Sequence, residues 1–205
     1  MAPIHVSVRA YAGFGGLIGQ VAPLIRGNLV PHLRQVPGFL GHCSFASEDG
    51  HFVSITMFRD RSGASKVDGR FEDGMLAQLG DAARASPRVA AGETLLHEIA
   101  RVQTGDHPPM FIVVRSYVGL GPKEEVLPRV REHVFLTITG APGFRGYYAF
   151  LDEDDATRGV AVSLFDNRDH AMEANERVLA VMRDRHIAPN PPAIMAGPTV
   201  VVAAA

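Results

Sequence analysis

Four stretches of the first half of this chain recur in order in the second half, each about 106 residues further on. That repetition constrains the fold more than any other feature. VSVRAYAGFG at 6–15 matches IVVRSYVGLG at 112–121, aligning Arg9 with Arg115 and Tyr11 with Tyr117. VPGFLGH at 36–42 matches APGFRGY at 141–147, and SITMFRDR at 54–61 matches AVSLFDNR at 161–168. GETLLHEI at 92–99 matches GPTVVVAA at 197–204. The 205 residues thus divide into halves 1–100 and 108–205, joined by a polar linker at 101–107.

Each half reads β-α-β-β-α-β. Apolar, β-branched runs at 4–11 and 111–118 predict first strands. Helices are predicted over 17–35 and 123–139, with a kink or early break near Pro31 and Pro128. PGF then opens a hairpin in each half, 39–47 with 51–58 and 144–151 with 159–165. Second helices cover 62–83 and 169–185. The first of them carries Gly63, Gly69, Gly74 and Gly80 and should be broken or mobile. Last strands are predicted at 93–99 and 199–203. This order is the ferredoxin-like, split βαβ plan of an α+β fold. Two helices cover one face of such a sheet and leave the other face in need of a partner. The other half is the parsimonious partner, which predicts two ferredoxin-like repeats packed sheet to sheet as an α+β barrel within one chain.

The PGF-x-G corner, the strand that ends in an aromatic before a polar turn, and the element order resemble a known family. Nearly the whole chain, in two copies, is similar to the antibiotic biosynthesis monooxygenase-like proteins of the dimeric α+β barrel superfamily. The resemblance implies a homodimer-like barrel fused into one chain. It also implies one of several activities: cofactor-independent oxygenation of aromatic, polyketide-like molecules, haem-ring opening, or isomerisation of small molecules. Haem-degrading relatives carry a first-strand Asn, a Trp ending the third strand and a haem-ligating His on the second helix. Here the Trp positions are Phe58 and Phe165, the first strands hold no Asn, and the first copy of that helix has no His. Haem chemistry is therefore disfavoured, and no cofactor is expected.

Strand alternation places Arg9 with Tyr11, and Arg115 with Tyr117, on one face of each first strand. A guanidinium there would hold an anionic or enolate oxygen, and a phenol would donate to or stack on an aromatic ligand. These four residues are the candidate substrate-binding groups; pairing with acidic neighbours is the structural alternative. His42 and His97 are specific to the first half, where the second carries Tyr147 and Val202, and they are the candidate bases. The nine histidines show no i, i+2 or i, i+4 pair, and with one cysteine, Cys43, no metal site is expected. A formal net charge of −2 gives no electrostatic reason to expect nucleic acid or an acidic membrane as partner. A small-molecule ligand and a cytoplasmic setting are the expectation. Association of two such chains is left open. Two functions stay in play: a cofactor-independent monooxygenase-like enzyme acting on an aromatic or enolisable molecule, and a non-catalytic or stress-related barrel that binds a small ligand.

Overall fold

A computed structural model describes residues 2–67, 69–77, 79, 86–100 and 109–205. The linker expected at 101–107 lies outside these residues. The fold is α+β. Its strands are β1 (His5–Ala12), β2 (Phe39–Ala46), β3 (His51–Phe58), β4 (Arg88–Ile99), β5 (Phe111–Tyr117), β6 (Phe144–Leu151), β7 (Gly159–Phe165) and β8 (Ala193–Ala204). Every ladder is antiparallel, and the hydrogen-bonded order is that of a closed eight-stranded barrel, β1-β3-β2-β8-β5-β7-β6-β4. Among the described residues no helix is long and apolar enough to cross a membrane.

By contact the chain separates inside β4 and β8. Residues 94–198 form one compact unit, here the C-terminal unit; residues 2–93 with 199–205 form the N-terminal unit. Both strands run longer than the 93–99 and 199–203 read from sequence, twelve residues each. Their added length is paired: Arg88–Glu93 of β4 lies against β1, and Ala193–Pro198 of β8 lies against β5.

In the N-terminal unit the first helical stretch comprises α1 (Ile18–Leu24), a π-helical turn (Ile25–Leu29) and α2 (Val30–Arg34). Of the kink or early break expected near Pro31, the early break does not occur: the chain stays helical to Arg34. Instead Val30 N–H donates to the Ile25 carbonyl, an i to i−5 bond, and the widened turn accommodates the missing proline donor and its ring. The second helical stretch is split into α3 (Arg61–Ala64) and α4 (Gly69–Ala77), as its glycines predict. Asp60 caps α3 by accepting a hydrogen bond from Gly63 N–H at 2.9 Å. Helix residues Val21, Ile25, Leu29, Leu33 and Leu76 pack with Tyr11, Phe39, Phe52 and Phe58. The face of β1 that carries Tyr11, and with it Arg9, is therefore the helix-covered face.

The C-terminal unit follows the same sequence of elements. Helix α5 (Lys123–Arg129), which contains Pro128, a π-helical turn (Val130–Phe135) and α6 (Leu136–Thr139) form its first helical stretch, so the chain stays helical past Pro128. Helix α7 (Arg168–Asp184) is continuous, capped by Asn167, and buries Ala171, Ala174, Asn175, Val178 and Met182 along one stripe. Phe111, Val113, Tyr117, Tyr147 and Phe165 pack under these helices.

The PGF corner has a backbone reason. Gly38 and Gly143 both hold positive φ, +87° and +70°. At Gly143 an added Cβ would collide with the Asp166 carboxylate and the His170 ring. Those two side chains pair at 2.8 Å, and Asp166 N–H donates to the Gly143 carbonyl at 2.9 Å. Gly143→Ala is expected to lower stability by at least about 2 kcal/mol, read as a shift in the urea midpoint at unchanged slope.

Candidate ligand site

The two strand arginines occupy equivalent places in their units and have opposite surroundings. In the N-terminal unit Arg9 is enclosed by its own acids. Its Nη2 donates to Asp73 Oδ1 at 2.7 Å, its Nε donates to the Tyr11 hydroxyl at 2.9 Å, and Glu72 Oε2 lies 3.6 Å from Nε. The Tyr11 hydroxyl in turn donates to Asp73 Oδ1 at 3.0 Å. Burial pulls the Arg9 guanidinium down, but Tyr11 and the two carboxylates outweigh it and hold it above its ordinary value. Burial pushes the Glu72 carboxyl up to about 7, against the opposing pulls of Ser54 and Arg9.

Arg115 of the C-terminal unit is fully buried at 0% exposure and has no carboxylate partner among the described residues. Its Nε donates to Asn175 Oδ1 at 2.8 Å and its Nη1 donates to Ser163 Oγ at 2.9 Å. The remaining nitrogen, Nη2, is buried and has no hydrogen-bond partner among the described residues. Burial lowers its affinity for its proton, with Tyr117 and Tyr147 pulling the other way. A guanidinium nonetheless stays protonated, so the positive charge persists in an apolar setting.

This arginine lines a pocket of about 660 Å³, open mouth included, between the sheet and the helices of the C-terminal unit. Leu96, Leu127, Val134, Phe150 and Met182 are among its apolar lining, and Tyr117 and Tyr147 supply phenols. Burial raises both phenols above the ordinary tyrosine value, against the pull of Arg115. They therefore stay protonated at neutral pH and act as donors rather than bases. Lys123 is the second cation of the lining, and no Asp, Glu or His among the described residues belongs to it. The arrangement suits a flat, largely apolar molecule with one acidic oxygen: the walls take the rings, and Arg115 takes the developing negative charge.

Of the candidate residues, Arg115 and Tyr117 come together at this pocket. Arg9 and Tyr11 belong to the N-terminal unit and are engaged with Asp73. His42 is also in that unit, at 0% exposure, with Nδ1 3.1 Å from Thr56 Oγ1. Burial pulls it down to about 4, so it is neutral at pH 7. His97 is partly exposed on β4, with Nδ1 3.1 Å from Thr94 Oγ1, and burial lowers it. Neither histidine lines the pocket. Ser163, Asn175 and Tyr147 complete the site and were not among the candidates read from the sequence. Asn175 had a visible signal, since it is the polar residue in the otherwise apolar stripe of α7.

No protein-family model matches the chain, and no curated protein matches it. Solved structures share its fold. A candidate monooxygenase from Fusobacterium nucleatum superposes with a TM-score of 0.73 at 11% identity, over 99% of this chain and 95% of its own. An anthrone oxidase-like protein gives 0.69 at 12% identity, over 100% and 94%. A candidate chlorite dismutase gives 0.61 at 11% identity, over 98% and 96%.

Proposed function

We propose that the C-terminal unit binds a flat aromatic or enolisable molecule through its acidic oxygen, and that the activity is cofactor-independent monooxygenation. The observation that carries this reading is Arg115, a buried guanidinium without a carboxylate, set with two phenols in an apolar pocket. A bound phenol or enol would lose its proton more readily beside that charge, because the anion gains what a carboxylate would otherwise take. The resulting carbanion adds to dioxygen, and the hydroperoxide loses water. In sum a CH2 and O2 give a C=O and H2O. The anthrone oxidase-like protein of the same fold makes an anthrone the first substrate to try.

The chain is further proposed to be two fused ferredoxin-like copies, 1–100 and 108–205. The element order found twice and the paired PGF glycines support this. A cytoplasmic, reducing setting fits the single free, buried Cys43.

One observation favours a second reading, binding without turnover: among the described residues the pocket lining holds no Asp, Glu or His to act as general base. Oxygen uptake with 1,8-dihydroxyanthrone, in the absence of added metal or flavin, separates the two. Uptake in step with quinone formation is expected. Tight binding without uptake would favour the binding protein, and neither would sink the proposal. His42→Ala and His97→Ala, run alongside, assign a histidine base if kcat falls at unchanged KM and a pH inflection disappears.

A further inference from the structure

Glu72 of α4 and Asn175 of α7 do the same structural job in their units. Each is a buried residue of the second helical stretch, at 5% and 3% exposure, and each faces the strand arginine. They differ in one respect, carboxylate against amide. In the N-terminal unit Asp73 meets the guanidinium with internal charge at 2.7 Å, and the Glu72 carboxyl lies 3.6 Å from Nε. In the C-terminal unit Asn175 accepts one hydrogen bond from Arg115 and supplies no charge. Ser163, the other partner of Arg115, is neutral too.

We infer that Asn175 decides which of the two arginines binds a ligand: its neutral amide fixes the Arg115 fork while leaving the positive charge free for an anionic oxygen. A carboxylate in its place would reproduce the closed arrangement seen at Arg9. It would compete with any phenolate or enolate from within 2.8 Å of Nε, the distance Asn175 Oδ1 now holds. The pocket would keep its apolar walls, so affinity for a neutral molecule of the same shape would not change. This assignment of a positioning residue rests on the ligand reading proposed above.

Asn175→Asp is nearly isosteric and tests the inference with 4-nitro-1-naphthol, whose phenolate absorbs visible light, and with its methyl ether. The bound naphthol should show its ionisation moved down by roughly one to three pH units in the wild-type protein, a tenfold or greater preference for the anion. Asn175→Asp should lose that preference and bind the ether as the wild type does. Should Asn175→Asp fail to fold, Ser163→Asp sets a carboxylate against Nη1 from β7 and carries the same expectation. A variant that folds and keeps the full preference for the anion overturns the inference and leaves the ligand reading standing. A wild-type protein that binds neither probe overturns both.

Discussion

Arg115→Gln is expected to lower kcat/KM for an ionisable aromatic substrate by about 100-fold or more, a loss of roughly 2.7 kcal/mol. The neutral ether of the same ligand should bind within about threefold of wild type. The size follows from the setting. At an effective dielectric of about 20, two unit charges 4 Å apart attract by about 4 kcal/mol, and no carboxylate at Arg115 spends that attraction beforehand. Glutamine removes the charge, keeps an amide donor and acceptor, and is shorter than arginine. The stability change should therefore stay within about 1 kcal/mol, because relief from burying a charge offsets weaker hydrogen bonds. Arg115→Lys restores charge without the fork and should recover part of the loss. Equal losses for the phenol and its ether would mean that Arg115 shapes the pocket and does not act by its charge.

The second large effect is in the pH dependence of stability. Glu72 titrates near 7 in the folded protein, above its ordinary 4.5. Its contribution is fully present below pH 4.5 and is lost as pH rises through 7, by ~3 kcal/mol. His42 is the reverse case, titrating near 4 instead of 6.5. Its contribution is present above pH 6.5 and is lost as pH falls through 4, again by ~3 kcal/mol. Between pH 4.5 and 6.5 the two slopes oppose each other, so the wild-type stability curve should be nearly flat there. Glu72→Gln removes one slope. That variant should be more stable than wild type by ~3 kcal/mol at pH 8 and should weaken steadily on acidification below 6.5. His42→Gln should show the mirror image, more stable than wild type at pH 4 and falling from 4.5 to 7. Urea midpoints across pH 4–8 check both. A Glu72→Gln curve parallel to wild type would mean that Glu72 is ionised at neutral pH.

Most strands were legible because alternation and β-branched runs are local signals. β1, β3, β6 and β7 lie within about two residues of where the pattern puts them. The second helix was legible as broken or mobile from its glycines, each of which weakens a helix locally, and it is split. The prolines misled. Pro31 and Pro128 read locally as helix breakers, yet the chain widens into a π-helical turn and continues, held by the apolar residues packed on either side. The lengths of β4 and β8 were underestimated. Segments such as RVAA and AIMA look weak alone and become strands because β1 and β5 offer open hydrogen-bonding edges.

The order of elements, and an Arg and a Tyr two residues apart on one face of each first strand, could be read from the residues alone. Those are matters of short-range periodicity, which every residue reports. The sequence by itself could not say that Arg9 and Arg115 would have opposite fates, because the deciding residues are distant: Asp73 lies 64 positions from Arg9, and Asn175 lies 60 from Arg115. Only the docking of the second helical stretch onto the sheet brings them within 3 Å. A charge buried with a carboxylate is part of the scaffold, and the same charge buried beside an amide is available to a ligand. That difference is electrostatic and was decided by tertiary structure.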